Sequence, residues 1–170
     1  MLRATAILYR GLGRAEIAAA AVLVIAAAGA IVLDVLARAL FNVAFSWANE
    51  FTRYAIVWMT FLGAAIGARR GAHISIDVLA ELLPPRLALL ALRGAAAIAS
   101  LACAVLGWQA VALVRHMARL GQTSPSMEAP MWLVYCALPL GFGLMTLHFA
   151  VFALTARRED SRAAMAASAG

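Results

Sequence analysis

SWANEFTRYAIVWMTFLGAAIGARRGAHISIDVLAELLPP is the sequence from Ser46 to Pro85, and it combines one membrane span with one polar hairpin. The run from Tyr54 to Ala68 is almost entirely apolar, which is typical of a helix in lipid. Arg69 and Arg70 end this run, and a short amphipathic pattern over 76–83 follows before two prolines. Since that pattern is too short to span a bilayer, it predicts a helix lying in the membrane interface.

The composition of the whole chain places it among membrane proteins. Of its 170 residues, 65% are hydrophobic and 13% are charged, whereas soluble domains carry about 25% charged residues. All basic residues are arginines that flank apolar runs, so the net charge of +6 indicates membrane topology rather than nucleic-acid binding. Cys103 and Cys136 lie inside apolar runs without a C-x-x-C spacing, and we interpret them as packing residues.

Four apolar stretches are long enough to cross a bilayer, which requires roughly 20 helical residues. They cover about 15–41, 47–69, 86–116 and 130–156. We predict an all-α membrane protein with one domain, residues 1–156, of four transmembrane helices and an interfacial helix between the second and third. The first stretch is longer than the core of a signal peptide, so we interpret it as an uncleaved span. Pro139 predicts a kink in the fourth span, and residues 157–170 predict a mobile cytoplasmic tail.

The arginines also predict orientation, because basic residues accumulate on the cytoplasmic side. Nine of them lie in the N-terminal segment, the 70–86 connection with its flanks, and the C-terminal tail. Four lie on the opposite side, and Arg93 lies two turns into the third span, closer to the side that holds the nine. Both termini are therefore predicted to be cytoplasmic, with loops 42–46 and 117–129 outside.

Few polar side chains interrupt the spans, and most of them lie near span ends. Asp34 and Arg38 lie four residues apart, so they can form a local ion pair, although a carboxylate in a membrane helix is also a functional candidate. Glu50 and Arg53 share a face at the outer end of span 2, as a mutual pair or as contacts to a partner. His73 and Asp77 are expected to order the inner hairpin.

Glycines of span 2 form a small-residue ridge at spacing four. Gly63 and Gly67 begin this ridge, and Gly71 extends it. Such a ridge lets another helix approach closely. It serves equally well for packing within the four helices and for contact with a partner.

The sequence contains no catalytic signature, so we predict that the chain is not an enzyme and holds no cofactor or metal. G-x-S-x-G, Walker and H-E-x-x-H motifs are absent. Haem would need two histidines at one depth, whereas His148 is expected to stand alone deep in span 4. A small proton-coupled drug exporter acting as a homodimer is the alternative function, and Glu16 and Asp34 would be its candidate carboxylates.

Four spaced motifs resemble one transporter family. They are Trp47-x-x-Glu50-x-x-Arg53, Trp58-x-x-Phe61-x-Gly63-Ala64, Arg69-x-x-x-His73-Ile74-x-Ile76-Asp77 and Pro130-x-Trp132-x-x-Tyr135-x-x-Leu138-Pro139-x-Gly141. In order and spacing, the chain resembles the DctQ-type small permease subunit of tripartite ATP-independent periplasmic (TRAP) transporters.

This resemblance implies a role in the bacterial inner membrane, among membrane lipids. It implies a large permease subunit that moves substrate with sodium, and a periplasmic substrate-binding protein that delivers an organic acid such as a dicarboxylate. The small subunit would brace the permease, hold no substrate site and bind no nucleic acid. The candidate interface or structural residues are Trp47, Glu50, Arg53, Trp58, Gly63, Gly67, Arg69, His73 and Asp77.

Overall fold

The computed structural model describes residues 2–69 and 84–155, and helices dominate this part of the chain. The helices are α1 (Leu2–Phe41), α2 (Ser46–Arg69), α3 (Pro85–Leu120), α4 (Met131–Tyr135) and α5 (Ala137–Thr155). Four segments are long and apolar enough to cross a membrane: Tyr9–Phe41, Ser46–Arg69, Leu87–Leu120 and Met131–Thr155. The all-α, four-span prediction is therefore confirmed. The predicted interfacial helix over 76–83 lies outside the described residues, as do His73 and Asp77.

Two helices extend beyond the boundaries predicted from membrane thickness. α1 begins at Leu2 rather than near residue 15, and α3 continues to Leu120 rather than ending near residue 116. Neither extension contains a proline that would stop a helix. At 1.5 Å per residue, α1 is about 60 Å long, roughly twice the thickness of the hydrocarbon core. The predicted boundaries followed the apolar run, whereas the helix itself continues through the polar flank.

The fourth span is interrupted at Cys136, which separates α4 from α5. Pro139 accounts for this interruption, because proline has no N–H to donate to the carbonyl of Tyr135 and its ring crowds that group. The Cys136 N–H still donates to the Trp132 carbonyl at 3.0 Å. The disturbance predicted at Pro139 thus occurs within the preceding turn, and the two short helices together make one span.

The helices pack in a row rather than in a closed bundle. α1 packs against α2, α2 against α5, and α5 against α3. In the described part, no other pair of these four helices brings Cα atoms within 8 Å. The row is therefore one helix thick in the order α1–α2–α5–α3. Two broad faces of it remain open, because each inner helix has a neighbour only on either side.

Small residues line the seams of this row. Ala65 and Ala68 of α2 and Ala96 of α3 are completely buried, and they pack with Met145 and Phe149 of α5. Alanine lets helix backbones approach closely, which gives dispersion contacts where lipid provides no hydrophobic driving force. The core is thus thin and alanine-rich, and the large apolar side chains of α1 and α3 are mostly exposed.

Gly141 is the tightest point of the α2–α5 seam. A Cβ atom built on Gly141 would lie 2.6 Å from the Cβ of Phe61, which is closer than real side chains approach. The Phe61 ring also meets the Phe142 ring edge-on, with centroids 5.3 Å apart. Phe61 and Gly141 both belong to the sequence motifs, and the structure shows that they form one contact.

We predict that Gly141→Ala destabilises the protein whereas Gly143→Ala does not. The new methyl at 141 must displace Phe61 near its backbone, an overpacking cost of about 1–3 kcal/mol. A Cβ on Gly143 meets no atom within 4 Å, and alanine is the better helix former. Thermal unfolding of both variants in detergent micelles measures the difference, and equal melting temperatures would contradict the assigned contact.

Candidate functional site

Among the described residues, three carboxylates are buried in the helix row, and they define its polar sites. Glu16, Asp34 and Glu50 are 3%, 4% and 7% exposed, respectively. A buried carboxylate is costly unless hydrogen-bond donors or positive charges compensate it. Asp34 and Glu50 lie at the loop end of the row, which we define by the connections 42–45 and 121–130. Glu16 lies at the opposite, terminal end, where α1 begins and where α2 and α5 finish.

Asp34 holds the connection between α1 and α2. Its Oδ2 lies 2.8 Å from Nη2 of Arg38, and its Oδ1 accepts the Phe45 N–H at 2.6 Å. The structure therefore contains the predicted Asp34–Arg38 pair and adds a backbone donor from the turn. Arg38 is 57% exposed in its side chain, as expected for a cation near lipid headgroups. Both carboxylate oxygens are thus engaged within the chain.

The connection 121–130 between α3 and α4 folds back on itself. Ser124 is buried and donates its N–H to the Ala129 carbonyl at 2.9 Å, while its Oγ accepts the Ala129 N–H at 3.2 Å. Thr123 and Pro130 pair as an isolated antiparallel bridge. These bonds close the loop into a compact turn that presents backbone N–H groups at its tip.

Glu50 of α2 accepts hydrogen bonds from that tip. Its Oε2 lies 2.8 Å from the Ser126 nitrogen and 3.0 Å from the Met127 nitrogen. Its Oε1 accepts the Tyr54 hydroxyl at 2.6 Å. Successive N–H groups on one carboxylate form an anion-binding nest with charge-assisted bonds. Glu50 therefore fastens the α3–α4 connection onto the beginning of α2.

The predicted Glu50–Arg53 face divides into two environments. Glu50 binds Tyr54 and the loop, while Arg53 is exposed. Sequence reasoning missed Ser126 and Met127 because they contribute backbone N–H groups, which every residue type except proline carries. The sequence places Tyr54 one helical turn after Glu50 at the beginning of a span, and this spacing was enough to predict the hydrogen bond between them.

At the terminal end, Glu16 and His148 form a buried pair. His148 Nε2 lies 2.8 Å from Glu16 Oε1, and His148 Nδ1 lies 3.0 Å from the Tyr9 hydroxyl. Arg69 Nε lies 3.9 Å from Glu16 Oε2. The expectation that His148 stands alone is therefore wrong. Glu16 and His148 are 132 residues apart, so no local spacing could have joined them.

The other candidate residues of α2 do not converge on one site. Trp47 is 37% exposed, and Trp58 and Gly67 are half-buried. Gly63 is exposed, and a Cβ built on it meets no atom of the described chain within 4 Å. From Trp47 to Arg69 these residues extend over about 33 Å of helix. Within residues 2–69 and 84–155, no group of three or more metal-ligating side chains could hold an ion.

Comparison with known proteins identifies the family. The family model described as "Tripartite ATP-independent periplasmic transporters, DctQ component" matches residues 27–159, well over half of the chain. The chain belongs to this DctQ family. DctQ subunits are components of transporters and not enzymes, and the family together with the four apolar helices indicates a multi-pass inner-membrane protein.

The relatives of this DctQ chain are named for different substrates. It is 42% identical over 106 residues to the C4-dicarboxylate TRAP transporter small permease protein of Rhodobacter capsulatus, covering 61% of this chain and 45% of that protein. It is 28% identical over 102 residues to the isethionate TRAP transporter permease protein DctMQ of Oleidesulfovibrio alaskensis, covering 59% and 16%. The ectoine TRAP transporter small permease protein of Halomonas elongata is 29% identical over 131 residues, covering 74% and 67%.

The DctQ match includes Asp34, Glu50, Arg69 and His148 but begins after Glu16. The chain spans less than half the length of the Rhodobacter relative and about one sixth of the Oleidesulfovibrio relative. The match therefore contains both buried carboxylates of the loop end, whereas Glu16 of the terminal end lies outside it.

We predict that Glu50→Ala destabilises this DctQ subunit even without a partner. The substitution removes the acceptor of three donors, and unsatisfied groups of this kind cost about 1–3 kcal/mol. Glu50→Gln keeps one acceptor oxygen and should cost less. Arg53→Gln, one turn away and exposed, serves as the control and should change stability by less than about 0.5 kcal/mol.

Thermal unfolding of the purified subunit in micelles measures this order of stability. If Glu50→Ala has the same melting temperature as Arg53→Gln, the bonds to the 121–130 loop contribute no stability and the assigned role of Glu50 is wrong.

Proposed function

We propose that this chain is a small permease subunit that braces a large permease in a TRAP transporter. The complex would carry out sodium-coupled uptake of an organic acid that a periplasmic binding protein delivers. The observation that supports the bracing role is that the three buried carboxylates all bind groups of this same chain. Asp34 and Glu50 bind backbone amides of loops, and Glu16 binds side chains of two other helices. Such groups fix the helices in place and are not available for an ion-coupling cycle.

The open row supports a large membrane partner. Between 6% and 28% of the residues in an 18-residue apolar window of each span are buried within the chain, so most of the helix surface there faces lipid or another protein. In the Oleidesulfovibrio relative, the region similar to this chain makes up 16% of a longer permease protein. A row one helix thick is well shaped to lie along the side of such a permease.

The exposed side of α2 is the candidate contact for that permease. Gly63 presents bare backbone there, and Trp47 is exposed near the loop end. Close approach of a second helix at a glycine gives extensive dispersion contact. We extend the proposal to His73 and Asp77 as residues that order the connection 70–83 at the terminal end.

The names of the relatives support a substrate site outside this subunit. Relatives of similar identity carry the names of C4-dicarboxylate, isethionate and ectoine transporters. The Rhodobacter relative, 42% identical over 106 residues, carries a C4-dicarboxylate name, and a dicarboxylate is therefore the first substrate to test.

The self-contained drug exporter is the disfavoured alternative. Its candidate carboxylates were Glu16 and Asp34, and each has partners inside the chain. A proton-exchanging carboxylate needs access to substrate and water during its cycle. Both groups instead join segments of the fold.

We predict that the loop end is periplasmic and both termini are cytoplasmic, because nine arginines flank the terminal end and four the loop end. Reporter fusions after residues 44 and 122 should signal the periplasm, and fusions after residues 73 and 165 should signal the cytoplasm. A periplasmic signal at 165 would overturn this orientation.

We also predict that the purified chain transports nothing by itself. Liposomes that contain it should show no uptake of succinate or another C4-dicarboxylate under an inward sodium gradient. Adding the cognate large permease and binding protein should produce uptake, and omitting this chain from the mixture should abolish it. Uptake or drug efflux by this chain alone would refute the bracing role.

A further inference from the structure

The cluster at the terminal end joins helices that are not neighbours in the row. α1 and α5 each pack against α2, and no Cα atoms of theirs approach within 8 Å in the described part. Even so, Glu16 and Tyr9 of α1 both contact His148 of α5. Arg69, the last residue of α2, lies beside the same carboxylate. Three helices therefore meet through side chains at this end.

Gly13 makes room for the arginine in this cluster. A Cβ atom built on Gly13 would overlap the guanidinium of Arg69, so the arginine lies directly over the backbone of α1. Gly11, two residues earlier in the same helix, has no atom within 4 Å of the equivalent position. A glycine inside a helix costs about 1 kcal/mol relative to alanine. At position 13 the absence of a side chain leaves room for the guanidinium of Arg69.

The charge of Arg69 compensates a buried oxygen of Glu16. Oε1 of Glu16 binds His148, but Oε2 is buried and has no hydrogen-bond partner among the described residues. Arg69 lies beside this oxygen, with its side chain 19% exposed and its Nε 3.9 Å away. With its ring proton on Nε2, His148 donates to Glu16. Arg69 places a permanent positive charge beside the other oxygen of the same carboxylate.

We propose that Gly13 seats the Arg69 guanidinium and that the seated arginine makes Glu16 and His148 a clasp joining α1, α2 and α5. The clasp fixes the N-terminal part of α1 against the C-terminal part of α5. Gly13 and Arg69 act as positioning residues for the Glu16–His148 pair. This role concerns the fold of the chain itself and goes beyond the proposed bracing of a permease.

A double-mutant cycle between positions 13 and 69 tests the seat, with position 11 as the matched control. Thermal unfolding of the full chain is measured in micelles for Gly13→Ala, Arg69→Gln, the double variant and Gly11→Ala. Gly13→Ala should melt at least about 4 °C below Gly11→Ala, a shift that is readily measured for a chain of this size. The double variant should melt no lower than Arg69→Gln alone, since alanine at 13 then displaces nothing.

Additive losses in the double variant, or equal melting of Gly13→Ala and Gly11→Ala, would overturn the proposal. If Gly13→Ala yields no folded protein, the double variant decides. Recovery of folded protein on removing the arginine supports the seat, and continued failure contradicts it.

The imidazole signal of His148 provides a readout that general destabilisation would not produce. In protein with ¹⁵N-labelled histidine, the buried Nε2–H should give a signal protected from solvent exchange, assigned by its loss in His148→Gln. Gly13→Ala and Glu16→Gln should shift this signal at temperatures where both variants remain folded, while Gly11→Ala should leave it unchanged. An unchanged signal in Gly13→Ala would show that Arg69 does not position the pair.

Discussion

A carboxylate buried in a membrane helix must find its hydrogen-bond donors within the protein, because lipid offers none. This constraint recurs three times in the described part of the chain and organises both ends of the helix row. Asp34 takes a donor from the α1–α2 turn, Glu50 takes two from the α3–α4 loop, and Glu16 pairs with His148. Each carboxylate thereby links parts of the chain that dispersion contacts alone would leave loosely associated.

The middle of the row depends on a different interaction. Alanines and Gly141 let α2, α3 and α5 approach closely, and Phe61 fills the α2–α5 seam. These contacts are weak individually and have no directional preference along the helix. The polar contacts at the two ends determine the register, because each joins particular residues of two segments. A row built this way can stay ordered although few of its large side chains are buried, which suits a subunit that supports a larger partner.

Features that depend on local sequence could be predicted, and features that depend on which helices are neighbours could not. The four spans, the Asp34–Arg38 pair and the disturbance at Pro139 follow from apolar runs, from a spacing of four and from a missing N–H. The Glu16–His148 contact joins residues 132 apart, and Glu50 reaches Ser126 across 76 residues. Predicting them requires the order α1–α2–α5–α3, and an amphipathic pattern does not reveal that order when both faces of the row are apolar.

The most direct test of this account is amide hydrogen exchange in the two loops of the loop end. In the wild-type chain, the amides of Phe45, Ser126 and Met127 should exchange slowly despite lying in loops. Glu50→Gln should accelerate exchange at Ser126 and Met127 while Phe45 stays protected, and Asp34→Asn should do the reverse. Fast exchange of all three amides in the wild type, or equal acceleration by both variants, would contradict the claim that each buried carboxylate holds its own connection.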